Sequence, residues 1–381
     1  MRRLLALLFA CIFISYPAIT TIPEFPFIIY GYILSEDGEG IPNAIVIAKN
    51  LRSGKNMSTI STNTGGYSFL IYLNEDWEVG DPVLVEARYF TFYGNGNCDV
   101  ANPAETVGIN ITMKASVIYV GGNGENNFTS IEKALKYINN GCMVYVFPNE
   151  YWENIIIRKK ISLIGRGENV IINASLIVNE SMVNISQFII KGGIVLKKGF
   201  CKIYNNSICN SDIAINVFSS NNEIFGNMIY GNRYGICLNS SNNIIYNNFF
   251  KNIKNALDNG NNTWNISKTY GRNIVGGNYI AGNYWHDYVG NDKNGDAIGD
   301  EALPYNCNGN ISHGGDFMPL VTPWDVNNDS IVDLLDMIRV GQHFGFSEGD
   351  ESYISNADIN KDGIINILDL IIVGQRFGMT Y

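Results

Sequence analysis

Near the C-terminal end, acid and amide side chains recur at fixed steps. Asp325, Asn327, Asp329, Asp333 and Asp336 stand at positions 1, 3, 5, 9 and 12 of a twelve-residue stretch, and Asp358, Asn360, Asp362, Asn366 and Asp369 repeat the set 33 residues later. Hard divalent cations such as Ca²⁺ take six to eight oxygens, and a loop of this spacing supplies them from those side chains plus the carbonyl of position 7. That carbonyl belongs to Ile331 in the first loop and Ile364 in the second. Every position holds a suitable donor, so two calcium ions are expected. From Asp325 onward ten acids face Arg339, Lys361 and Arg376, a local charge of -7. Carboxylates so crowded repel one another without a cation, which couples metal binding to folding. Position 6 is Gly363 in the second loop and Ser330 in the first. A left-handed backbone costs a non-glycine residue about 1–2 kcal/mol, which the extra charge of Asp333 over Asn366 offsets. Asp292, Asn294, Asp296 and Asp300 have the same opening spacing without an acid at position 12. They form either a third, weaker calcium loop or an Asp/Gly-rich turn.

Each loop must be held by the element after it. Residues 340–345 (VGQHFG) match 373–378 (VGQRFG), so the segment reads as two loop-helix units. With one helix per loop and Asp at position 12, it resembles the dockerin type I domain. That resemblance implies a cohesin-domain partner, recognised in part by positions 10 and 11, here Leu334, Leu335, Ile367 and Leu368. As plain helix-start apolar residues, the same four are equally suited to a core.

Upstream, a 21-residue repeat sets the architecture. Ile203, Ile224 and Ile245 fall in register, as do Asn206, Asn227 and Asn248, then Ile208, Ile229 and Phe250. A period of this length signals a solenoid, in which stacked isoleucines form a continuous core and asparagines at a fixed bend bond their counterparts one rung away. Short β-rich runs precede the repeats (143–147, 154–157, 161–164, 170–172), after one helix opened by a capping box at Thr129-Ser130-Ile131-Glu132 with an apolar stripe of Ile131, Ala134, Leu135 and Ile138. The repeats, with Gly276-Gly277-Asn278-Tyr279 and Gly282-Asn283-Tyr284-Trp285-His286-Asp287-Tyr288, resemble the right-handed parallel β-helix of pectate-lyase-like (pectin-lyase-like) proteins, and within them the NosD-like family. Copper, which that family's usual name implies, is not expected: such sites need clustered His, Met or Cys, and His286, His313 and His343 are isolated in sequence.

Catalysis on this scaffold would need acids grouped on one strand face, often with Arg or Lys. The register puts Asp212, Arg233 and Lys254 in one column and Lys202 beside Glu223. Neither is the carboxylate pair of a glycosidase, and inter-rung ion pairs account for both.

From 27 to 114, alternating runs at 28–33, 44–48, 67–72 and 83–89 read as a small β-sandwich. Gly40-Ile41-Pro42-Asn43-Ala44 with Thr64-Gly65-Gly66-Tyr67-Ser68-Phe69 resembles the carboxypeptidase regulatory-like, transthyretin-type domain, which implies a spacer. Residues 1–20 join Arg2 and Arg3 to an apolar run, as an export signal does. The six cysteines beyond it form no CxxC, so a zinc ribbon has no support. Nothing supplies the clustered basic face that nucleic acid requires.

The expected protein is mainly β: signal peptide 1–20, β-sandwich 25–114, parallel β-helix 115–322, dockerin 323–381. It is secreted or held at the cell surface, docks by calcium to a cohesin and presents a β-helix that binds polysaccharide or cell-surface glycan, or serves as a spike. The alternative makes the β-helix a polysaccharide lyase or glycoside hydrolase carried to a scaffold.

Overall fold

The computed structural model describes residues 25–124, 127–327, 329 and 331–380. The export signal and Ser330 lie outside them. The chain divides into two compact units, one drawn from residues up to 112 and one dominated by 113–381.

In the first unit, strands Phe27–Leu34, Ile45–Asn50, Gly66–Ile71 and Pro82–Tyr89 form where the alternation places them. Phe27–Leu34 pairs antiparallel with Gly66–Ile71 and parallel with Thr106–Gly108. A second sheet runs Asn56–Ile60, Ile45–Asn50, Pro82–Tyr89, Phe92–Asp99. Ile29, Val46, Phe69 and Val85 are buried, while alternate residues such as Tyr30, Ile45, Ser68 and Leu70 are exposed.

The second unit is a β-solenoid of about six turns followed by a short helical region. Among the described residues its rungs stack into two seven-stranded parallel sheets and one six-stranded sheet. In the first sheet Ile118, Val144, Leu163, Ile185, Ile203, Ile224 and Ile245 follow one another in register, all at 0% exposure. Burying each such side chain stabilises the fold by about 1.5–3 kcal/mol. The helix at the solenoid's start, α1 (Ile131–Tyr137), differs from the capping box expected: its N-cap is Ser130. The carboxylate that accepts the Ile131 and Glu132 amides belongs to Glu153 of the following strand connection, not Glu132. The tertiary contact outcompetes the local one because the Glu153 carboxylate takes both amides and the Ser130 hydroxyl together.

At three successive corners a left-handed residue precedes a ladder asparagine: Asn205, Gly226 and Asn247 before Asn206, Asn227 and Asn248. This bend turns the following side chain inward, and the amides form ladders. Nδ2 of Asn206 donates to Asn227 Oδ1 (3.1 Å), Asn227 to Asn248 (2.9 Å) and Asn248 to Asn283 (3.0 Å). A second ladder runs Asn222, Asn243, Asn262 and a third Asn232, Asn252, Asn255. All three point their donors toward the C-terminal end, so the last amide of each needs a pure acceptor. Each ends on an aspartate: Asp316, Asp258 and Asp287. Indole N–H groups complete two of these ends, Trp285 on Asp316 and Trp264 on Asp258, each at 2.9 Å.

Asp316 is fully buried, and burial lifts its carboxyl to about 6 against the opposing amides of Asn283 and Met318 and the Trp285 indole. Because its folded value exceeds the unfolded one, the folded state binds the extra proton between about pH 4 and 6. Stability is therefore lost as pH rises through that window, by about 3 kcal/mol in all. Urea midpoints at pH 4 and pH 7 should show this fall in the wild type relative to Asp316→Asn. Equal pH slopes in the two proteins would rule it out.

Candidate metal centre and docking face

The helical region repeats its packing as it repeats its sequence. Its core holds Trp324, Val326, Val332, Val340, Ala357, Ile365 and Val373, with Met337, Ile359 and Leu370 against it. Trp324/Ala357, Val326/Ile359, Val332/Ile365, Met337/Leu370 and Val340/Val373 are all 33 apart. Each unit thus buries the same positions against the other.

Helices α2 (Leu334–Gln342) and α3 (Ile367–Gly374) begin where the loops end. Positions 9 and 12 of each loop are the N-cap and third residue of its helix. Asp333 accepts the Leu335 amide while Asp336 accepts that of Asp333, and Asn366 and Asp369 do the same. The capping box therefore fixes two predicted ligands per loop. Position 12 also reaches back: Asp369 Oδ1 accepts the amides of Ile359 (2.7 Å) and Asn360 (3.1 Å), and Asp336 Oδ1 that of Asn327 (3.1 Å). Asn327 and Asn360 each accept the amide two residues on, of Asp329 and Asp362, which in turn accept those of Ile331 and Ile364. Asp325 and Asp358 close each loop by accepting the amide of position 5. All twelve predicted positions therefore lie in two like-folded loops, with Ile331 and Ile364 themselves half exposed.

Four of these side chains are carboxylates out of solvent: Asp325 at 6% exposure, Asp336 at 0%, Asp358 at 1% and Asp369 at 0%. Buried carboxylates are retained only when paired, strongly hydrogen-bonded or bound to metal. Burial pushes the Asp336 carboxyl up, against amides from Asp333, Asn327 and Val326, and the nearby Asp329 charge adds to the rise. Among the described residues no three His, Cys, Asp or Glu converge as a metal cluster. In each loop the carboxylates are turned onto main-chain N–H groups, and asparagine and main-chain oxygens supply the rest of the expected donor set. The buried carboxylates and hard-oxygen chemistry fit calcium.

The 292–300 loop folds on the same scheme. Asp292 accepts the amides of Gly295, Asp296 and Ala297, Asn294 that of Asp296, and Asp296 that of Ile298. Asp300, three places early, accepts Lys293 and Asn294 amides as position 12 does elsewhere. Its charges meet protein cations, however: Lys268 Nζ is 2.5 Å from Asp296 Oδ2, and the carboxyl of Asp292, which burial raises against the amides of Ala297 and Gly295, is also faced by Lys361, which opposes the rise.

Leu334, Leu335, Ile367 and Leu368 are 50–60% exposed and so are not core. Ile338 and Ile371, one turn on, and Phe344 and Phe377 join them in exposure, again in pairs 33 apart. Sequence reasoning missed these four, although the same repeat marks them.

On the β-helix the expected charge column needs a correction. Asp212 and Arg233 pair at 3.3 Å, and Lys202 and Glu223 at 2.7 Å. Lys254, however, registers with Tyr234, not Arg233, because the third ladder steps by 20 residues at Asn252 rather than 21. Arg233 and Lys254 instead lie over the Tyr234 ring at 5.3 and 5.6 Å. His286 Nδ1 meets Asn255 Nδ2, and His343 Nδ1 meets the Ser352 carbonyl.

Residues 323–378 match the dockerin type I domain, a class that binds calcium and cohesin partners. No curated protein matches the chain. Residues 78–290 match the family described as periplasmic copper-binding protein (NosD). That match spans more than half of the 381 residues, and with the parallel solenoid it covers, the chain belongs to the NosD family.

Proposed function

We propose that the protein is an exported, extracytoplasmic docking protein: a calcium-loaded dockerin at 323–381 holds a cohesin-bearing partner and displays the β-helix at 115–322 as a glycan-binding or structural body. The carrying observation is the doubled arrangement of buried loop carboxylates beneath exposed apolar helix starts. We assign one ion to Asp325, Asn327, Asp329, Ile331 O, Asp333 and Asp336, and one to Asp358, Asn360, Asp362, Ile364 O, Asn366 and Asp369. The 292–300 loop takes no third ion on this reading, since Lys268 and Lys361 supply its cations. Residues 25–114 act as a carboxypeptidase regulatory-like spacer, and residues 1–20 direct export.

Replacing Leu334, Leu335, Ile367 and Leu368 together by lysine tests the docking face. Capture by a panel of immobilised cohesins is expected to fall at least 100-fold, with calcium binding and helical signal retained. Undiminished capture would place the docking surface elsewhere.

A second reading, a carbohydrate-active β-helix, is favoured by the cluster of Asp212, Arg233, Tyr234 and Lys254 on one corner. Incubating the full chain with a polysaccharide panel separates the two: new reducing ends or unsaturated products support the enzyme, and retention without turnover supports the binder.

A further inference from the structure

The second calcium loop meets the 292–300 loop of the β-helix at Lys361. Lys361 occupies position 4, between the ligand positions Asn360 and Asp362, and its backbone is left-handed at φ 61°, a conformation disfavoured for any residue with a Cβ. Its ammonium donates to the Ser355 carbonyl at 2.6 Å, and the Ser355 hydroxyl donates to the carbonyl of Asn294 at 2.7 Å. A Cβ on Gly295 would fall 2.2 Å from Lys361 Nζ and 2.4 Å from Ser355 Oγ, so both groups rest directly on the main chain of the 292–300 loop. Lys361, Asp292 and Asp325 line one cavity of about 30 Å³. Nearby, the Trp324 ring lies equally close to Gly276, where a Cβ would fall 2.2 Å from it. Two β-helix glycines thus receive groups from the dockerin.

We infer that calcium in the second loop locks the dockerin onto the C-terminal end of the β-helix, with Lys361 as the connecting group. An ion held by Asn360 and Asp362 pins the residue between them in its left-handed form and so aims the ammonium at Gly295. When the ion leaves, the carboxylates repel, the backbone of Lys361 relaxes and the contact with the 292–300 loop is lost. The inference rests on the calcium reading of the loops above. It adds that the metal governs how the module is mounted as well as whether it folds.

Hydrogen exchange on the full chain, read in peptides spanning 290–300, tests this, with calorimetry counting bound calcium. Chelation is expected to speed exchange there at least tenfold while the rungs at 203–250 stay protected. Lys361→Ala is expected to do the same with calcium present and two ions still bound, and Lys361→Arg to restore protection. Wild-type protection in a fully loaded Lys361→Ala protein overturns the lock, as does protection unchanged by chelation in a chain shown to bind calcium. A chain that binds no calcium overturns the reading of the loops instead, and calorimetry alone distinguishes that failure.

Discussion

Removing calcium is expected to cost the dockerin about 4 kcal/mol when the ion had been present at a thousandfold excess over its dissociation constant. For a domain of this size that is roughly a 20 °C fall in melting temperature. The effect is large because the loops hold buried charge, at Asp325, Asp336, Asp358 and Asp369, that is met mainly by N–H dipoles and, at Asp358, by the Tyr353 hydroxyl at 2.7 Å. The like-folded 292–300 loop of the β-helix meets Lys268 in place of an ion, and the rungs at 203–250 carry no calcium loop, so the β-helix transition should not move. Asp336→Asn and Asp369→Asn keep the shape of position 12 and remove its charge, and each should abolish one step of a calorimetric titration. The first loop carries four ligand carboxylates, at 325, 329, 333 and 336. The second carries three, beside the ammonium of Lys361, so the first loop should fill at lower calcium. A single melting temperature with and without chelator, and no calcium heat, would sink the assignment.

What the sequence made legible follows from repetition. A solenoid rung must bury its isoleucine where the rung below does, so the 21-residue period reports the core directly, and Ile203, Ile224 and Ile245 are indeed register partners. The 33-residue period does the same for the dockerin core and for its exposed face. Features supplied once, by non-repeating segments, left no such trace. Asp258, Asp287 and Asp316 end the three ladders from positions with no periodic relation to the asparagines they accept. Glu153 displaces the local cap of α1 from the next rung, a contact that only the fold brings about. Lys254 shows the limit within the repeat itself: one residue fewer in a turn moved it from beside Arg233 to beside Tyr234. The exposure of Leu334 and Leu335 was open in sequence because α2 has apolar residues on both sides, and packing alone decides which side meets α3.

The ladders carry the other large effect. Asn227→Ala is expected to destabilise the β-helix by about 4 kcal/mol, from several buried polar groups each losing a partner at roughly 1–3 kcal/mol. Asn227 is at 0% exposure. Its amide donates to the carbonyls of Ile203 (2.8 Å) and Phe225 (3.0 Å) and to Asn248 Oδ1 (2.9 Å), while its Oδ1 accepts the Asn206 main-chain N–H and Nδ2, both at 3.1 Å. Alanine leaves the Asn206 main-chain N–H without that acceptor in a place water does not reach, and it breaks the ladder at its middle. In a stacked array the coupling between neighbouring rungs holds the whole together, so a central break weakens both halves. Lys202→Ala is the contrast. It removes a 2.7 Å ion pair with Glu223 on the outer face, where the lysine side chain is 54% exposed, and should cost about 0–1 kcal/mol. Urea midpoints of the two variants decide the matter: if Asn227→Ala unfolds no earlier than Lys202→Ala, water or a shifted side chain satisfies the corner and the ladder is not what holds the rungs together.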